Sequence, residues 1–289
     1  MANATQENVM SYRSLLVHLD LEATCPDRIQ VAVRLARDME CHLVGLAPVG
    51  VLDLPASPVA ASALTAYATM AADTLRQQAE QSAENFRRAC QAAGVRSFEA
   101  FVEPAERSEA LLRQAHCSDL VLMTQADPRA PGYGRARELM EDVVLYSARP
   151  TLMLPYAGRF DTLGADVLVA WDDSREAARA VRDALPLLQA ARRVQAISWV
   201  KSGTASEAVL RARLDALQAW LMRHGVETGV RVEGTGMPIA ETLLSRAADL
   251  GSDLIVMGAY GHARWAERLM GGATRGLLEA MTVPVLMSH

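Results

Sequence analysis

Charge of one sign is what this sequence lacks most visibly: 29 lysines and arginines stand against 34 aspartates and glutamates, a net charge of −5. That balance leaves no global positive field for a phosphate backbone, so nucleic acid is not an expected partner. Cysteine is sparse as well. The four present (Cys25, Cys41, Cys90, Cys117) never fall at a C-x-x-C spacing, which argues against a disulfide scaffold or a zinc site and leaves them as small buried hydrophobes in a reducing compartment. Long apolar runs are missing too. The longest uncharged stretch, Leu54 to Ala72, contains Pro55, Pro58 and several hydroxyl residues, and it would insert poorly in a bilayer. Met1 to Met10 is polar and has no basic patch leading into an apolar segment, so no signal peptide and no membrane partner are expected, and the expected location is cytoplasmic. What is there is a chain of 289 residues, 51% hydrophobic and 22% charged. Such a chain has material for one or two cored domains and is neither disordered nor fibrous.

The chain is written twice. One constant shift superimposes Pro104 on Pro238, Ser118-Asp119-Leu120 on Ser252-Asp253-Leu254, Met123 on Met257, Pro150 on Pro284, and Leu152-Met153 on Leu286-Met287, without a gap. Upstream the same order recurs with slipped register: an apolar strand ending in aspartate (Leu15 to Asp20; Val167 to Asp172) and a helix closed by Gly-Val (Gly94-Val95; Gly225-Val226). The slippage is assigned to a Pro-, Ala- and Ser-rich loop from Gly45 to Tyr67, shortened in the second copy to the segment around Lys201 to Ser206.

Within the second copy, apolar runs predict strands at Asp166 to Trp171, Arg193 to Trp199, Glu227 to Glu233, Leu254 to Met257 and Val283 to Met287. Between them the period is helical. Ala240, Leu243, Leu244, Ala247 and Ala248 form one stripe, as do Ile29, Ala32, Val33 and Ala36 in the first copy. Strands apolar on both faces, alternating with helices, imply a parallel sheet covered on each side. The expected fold is therefore α/β: two repeated, doubly wound, mostly parallel five-stranded sheets of Rossmann-like type. The expected domains span 11–156 and 165–289, joined near Tyr156 to Ala165.

In such sheets ligands bind beyond the carboxyl ends of the strands, at the switch point of strand order. There the second copy is glycine-rich. Gly258-Ala259-Tyr260-Gly261-His262 follows a strand, and Gly271-Gly272-Ala273-Thr274 opens a helix expected to run to about Met281. Glycines let a backbone approach phosphate closely, and a helix start supplies free N–H groups. The same pattern is also compatible with a tight turn followed by a helix break.

The run from Leu254 to His289 resembles the C-terminal signature of the universal stress protein family, in which glycines at this spacing cradle the phosphates of ATP. Gly258, Gly261 and Gly271 match it. The resemblance further implies that Asp172 faces the adenine, that Val200 packs on the base, and that His262 and Arg264 stand near the phosphates. It extends along the chain as a tandem pair and implies a regulatory nucleotide-binding role in stress response, with ATP and magnesium as the ligand of the second domain. It also implies that Thr151 to Leu154 and Val283 to Met287 pair the two domains; a homodimer of the whole chain stays open. One departure is that the small hydroxyl residue after the third glycine is Gly272 here, with Thr274 nearby. Losing that donor removes on the order of 0.5–1.5 kcal/mol.

The first copy places Thr124, Asp127 and Arg137 at the three glycine positions and Glu138 at that of Gly272, with Glu141 and Asp142 close behind. Side chains fill the phosphate space and carboxylates repel a polyphosphate, so no ATP is expected there. Asp20 then reads as a plain strand-end polar residue. No G-x-x-x-x-G-K-[ST] loop or G-x-S-x-G elbow occurs, Gly234-Thr235-Gly236 reads as a turn, and none of the six histidines sits at i, i+4 ligand spacing. Trp171 and Trp199 read as packing, and Arg175, Arg179 and Arg182 as a solvated helix face. No catalytic residue or metal ligand is assigned. Two alternatives stand beside the nucleotide module: a scaffold that senses a small ligand or a partner without nucleotide, and a slow ATP hydrolase.

Overall fold

A computed structural model of the chain describes residues 11–50, 61–201, 207–261 and 272–289. It divides into two compact units. The first, Arg13–Thr124 with Gly134–Arg149, contains β1 (Ser14–His18), α1 (Cys25–Asp38), β2 (His42–Pro48), α2 (Ala61–Ala92), β3 (Phe98–Glu103), α3 (Arg107–Ala115), β4 (Leu120–Thr124) and nearly all of α4 (Tyr133–Tyr146). Its strands run parallel in the order β3-β2-β1-β4, with Leu15 opposite Leu43 and Leu16 opposite Val121.

The second unit takes Gln125–Tyr133 and Pro150–His289. It contains β5 (Thr151–Leu154), β6 (Asp166–Ala170), α5 (Arg175–Asp183), α6 (Leu185–Ala190), β7 (Arg193–Lys201), α7 (Glu207–Arg223), β8 (Thr228–Thr235), α8 (Ile239–Leu250), β9 (Leu254–Gly258), α9 (Gly272–Ala280) and β10 (Val285–Ser288). The order is β5-β10-β9-β6-β7-β8, parallel except for β5, which meets β10 antiparallel with Leu152 opposite Leu286. This is the α/β, mostly parallel architecture expected from the alternating periods.

The duplicated Ser-Asp-Leu has the same physical task in each repeat. Asp119 Oδ2 accepts from the backbone N–H groups of Arg13 (2.7 Å) and Ser14 (3.0 Å), and Asp253 accepts from Ala165 (3.1 Å) and Asp166 (2.9 Å). Each aspartate precedes the fourth strand of its repeat and pins the start of the first. The central strands then run through the core: Leu15, Leu16, Val17, Leu254, Ile255 and Val256 are completely buried. Fully buried parallel strands of this kind explain the unbroken apolar runs.

Four local expectations are corrected. Gly45 does not open a loop but lies inside β2, where an added Cβ would come within 2.8 Å of both Leu19 and Phe86; the glycine makes room for a ring. The far end of the expected loop is helical as well: α2 starts at Ala61, in an alanine-rich stretch of high helix propensity. Gly234 and Thr235 continue β8 by pairing with Val200 and Lys201 instead of turning. Cys117 is exposed beyond the end of α3, whereas Cys25, Cys41 and Cys90 are buried. On α8 the buried stripe is Ala240, Leu243 and Ala247, while Ala248 faces out. Among the described residues no helix is long and apolar enough to cross a membrane.

Candidate functional site

At the switch point of the second repeat, β6 ends and Trp171 N–H donates to Ile197 O at 2.9 Å. Asp172 follows. Its Oδ1 accepts from the Ser174 N–H (3.0 Å) and hydroxyl (2.6 Å), while Ser174 Oγ accepts from Ala177 N–H (3.1 Å) and caps α5. A carboxylate oriented through a capping serine is a stiff acceptor at the mouth of the crevice.

Across from it, β9 ends in Gly258. A Cβ there would lie 2.5 Å from Ala177 N and 2.6 Å from Glu176 C, so only glycine lets the first turn of α5 sit against the strand. Tyr260 then takes a left-handed conformation (φ 56°), and its N–H donates to Thr274 Oγ1 at 3.1 Å. That bond holds the Gly258-to-Gly261 turn beside the start of α9. Thr274 is 3% exposed, so its hydroxyl serves this link, while among the described residues nothing lies within 4 Å of a Cβ added at Gly272, at the helix start. Ala273 is half-buried behind it.

The structure thus brings Asp172, Gly258, Gly261, Gly272 and Thr274 to one crevice. Val200 is half-buried at the far end of β7, the neighbouring strand. His262, Arg264 and Gly271 lie outside the described residues. Among the described residues no cluster of three or more histidine, cysteine or acidic side chains is placed to hold a metal ion.

Glu176 is the residue that pattern reading missed. It is 3% exposed, and its Oε2 lies 3.0 Å from the position of a Cβ on Gly261. Arg175 Nε bonds the other oxygen. Burial pushes this carboxyl up, but the Arg175 hydrogen bond, its own backbone N–H and the charges of Arg175 and His289 outweigh that and hold it below its ordinary range. A buried negative charge therefore borders the glycine turn. The available signal was the Ser174 cap, which fixes α5 so that its second residue stands against the end of β9.

The first repeat fills the equivalent crevice from within. Arg28, on α1 and only 2% exposed, donates from Nε to His18 O, from one terminal nitrogen to Thr124 Oγ1, and from the other to Asp20 Oδ2, each at 2.7 Å. Thr124 is the residue that stands where the second repeat has Gly258. Asp20, expected to be a plain strand-end residue, is instead the counter-charge of a buried guanidinium, and Ser82 of α2 donates to its carbonyl at 2.7 Å. Burial would raise the Asp20 carboxyl, but Arg28 beside it keeps it below its usual range. His18, with Nδ1 3.4 Å from Asp20 Oδ2, is lowered to about 4 by burial, against the opposing pull of Asp20. Beyond the plug, a cavity of about 560 Å³ is bordered by Glu106, Glu138 and Asp142 as well as by Arg107 and Arg135.

An oriented aspartate after the first strand of the repeat, across from a glycine turn and a helix start, is the arrangement of the doubly wound α/β class at its switch point. Residues 165–289, the second repeat, match the model of the Universal stress protein family. A universal stress protein from Archaeoglobus fulgidus shares the fold across both repeats, covering 95% of this chain and 97% of its own at 17% identity and a TM-score of 0.73. A protein of unknown function from Pseudomonas aeruginosa PAO1 aligns over 96% of this chain and 92% of its own, at 17% identity and a TM-score of 0.58. No curated protein matches the chain.

Proposed function

We propose that the chain is a tandem universal stress protein, a regulatory module of the cytoplasmic stress response, in which the second repeat binds an adenine nucleotide, ATP with magnesium, and the first repeat does not. The observation that carries this reading is the Tyr260 N–H to Thr274 Oγ1 bond, which sets the Gly258–Gly261 turn beside the start of α9. Backbone N–H groups at such a start attract phosphate, and the Ser174-held Asp172 offers an acceptor to a base or ribose. The exclusion of nucleotide from the first repeat is supported by Arg28, whose three bonds occupy the crevice. Pairing of Thr151 to Leu154 with the last strand is supported by the β5–β10 ladder.

A second reading, a scaffold that senses a ligand or partner other than nucleotide, is favoured by Glu176, whose buried carboxylate would face an incoming phosphate. Equilibrium binding of magnesium-ATP to the full chain and to Gly272→Glu decides between them. A Cβ there meets no atom of the described residues within 4 Å, and the substitution reproduces the Glu138 of the first repeat. The nucleotide reading expects micromolar binding by the parent and at least tenfold weaker binding by the variant, with unchanged melting. Absence of binding up to millimolar ATP leaves the second reading.

A further inference from the structure

The switch points lie at the carboxyl ends of the strands. At the opposite end of the first unit, where β2 and β3 begin, three side chains of complementary chemistry meet. His42 Nδ1 lies 2.7 Å from Ser97 Oγ, and its Nε2 lies 3.1 Å from Glu99 Oε1. Ser97 and Glu99 are two positions apart and so share one face, while Phe98 between them turns to the other and meets Phe86 edge-on, ring centroids 6.3 Å apart. The His42 backbone is fixed as well, its N–H donating to Arg13 O at 2.9 Å.

A carboxylate can only accept, so Nε2 of the neutral His42 ring carries the proton and gives it to Glu99. Nδ1 is left with a lone pair for the Ser97 hydroxyl. This is the relay of a nucleophile, a base and the acid that orients the base, with the two ring nitrogens exchanged relative to the serine-protease arrangement. Leu43 N–H takes Ser97 O at 3.0 Å in the register that sets Leu43 opposite Phe98, so the Phe98 N–H, adjacent to the serine, stays off the β2 ladder on an edge strand. The three side chains are accessible: Ser97 is exposed, and His42 and Glu99 are 33% and 47% exposed. Strand pairing does not require them. In the second repeat Val194 stands opposite Thr228, which puts Arg193, Glu227 and Gly229 at the three positions, and β7 and β8 pair all the same.

We propose that Ser97, His42 and Glu99 hydrolyse small acyl esters through an acyl-serine. Ser97 Oγ attacks the carbonyl carbon as its proton passes to His42 Nδ1, and the carbonyl oxygen takes the displaced electron pair beside the Phe98 N–H. Collapse breaks the bond from carbon to the leaving oxygen, which departs with the proton from Nδ1. Water then attacks the acyl carbon and gives its proton to Nδ1; the Oγ–C bond breaks, and that proton returns to Oγ, leaving acid, alcohol and free serine. Ser97 and His42 are the catalytic residues, and Glu99 positions the ring. The exposed setting selects a short acyl group on a good leaving group, and nothing is required of the nucleotide crevice.

The test is hydrolysis of p-nitrophenyl acetate by the full chain, with mass spectrometry of acid-quenched samples. Turnover, an acetyl group on the peptide that carries Ser97, and a rate lowered about tenfold or more by Ser97→Ala and by His42→Gln are expected. Glu99→Gln presents an amide donor to the ring and reverses its tautomer, so kcat should fall about fivefold or more with KM unchanged. Lys201 is the chain's only lysine, which keeps background acetylation sparse. Absence of turnover, acetyl groups on Cys117 or Lys201 but not on Ser97, or a Ser97→Ala rate equal to that of the parent overturns the proposal; the last would make His42 a free imidazole catalyst. An unchanged kcat in Glu99→Gln overturns the positioning role. The three positions are accessible, so wild-type melting is expected. Should a variant melt early, acetylation of Ser97 in the parent decides alone.

Discussion

Two switch points built from the same succession of strands and helices are filled in different ways. In the first repeat a guanidinium from α1 reaches into the switch point and is satisfied there by His18 O, Asp20 and Thr124. In the second, Ala180 keeps the same separation from Asp172 that Arg28 keeps from Asp20, and a methyl cannot fill the space. One repeat carries its own cationic occupant. The other keeps glycine at Gly258 and at the helix start, Gly272. The difference teaches that one side chain reaching into the switch point from the following helix both fills it and becomes part of the core.

The sharpest way to break this comparison is Arg28→Met, which keeps much of the volume but leaves Asp20 without its counter-charge. A loss of about 4 kcal/mol in urea unfolding is expected, because removing one partner of a buried pair strands the other. A loss below about 1 kcal/mol would mean that the plug is incidental. The next effect is in pH. His18 is held neutral when folded, near 4 against an ordinary 6.5, so the unfolded chain takes up the proton first as pH falls. Stability is full above 6.5 and declines down to about 4, by about 3 kcal/mol. His18→Gln should flatten that slope. The Asp20 contribution lies lower: it is present above the ordinary carboxylate value and lost as pH falls through the depressed one. The smallest effect comes from transplanting the first repeat's residue into the second as Gly258→Thr. Its Cβ would press on the α5 backbone at 2.5 Å, and thermal or urea unfolding should show a loss of about 2 kcal/mol.

Much of the fold could be read before any coordinates. The apolar runs of β1, β4, β6 and β9 and the repeated Ser-Asp-Leu are local patterns, and their physical cause, burial on both faces and a strand-pinning carboxylate, is local as well. Gly45 was legible only as a glycine. Whether a glycine marks a turn or a ring contact depends on Phe86, a residue contributed by α2 and distant in the chain. Arg28 and Glu176 were hidden for the same reason: a charged residue early in a helix reads as solvated until the strand end opposite it is known.

The glycine spacing, the strand-end aspartates and the acidic substitutions of the first copy are properties of the chain as a string, because each depends on a residue type at a set distance from its neighbours. The plug of Arg28 against Thr124 and the carboxylate of Glu176 beside Gly261 belong to the folded molecule alone. Each arises where elements far apart in sequence meet, and burial there, which no local pattern records, determines whether a polar side chain is solvated, paired or set against a ligand.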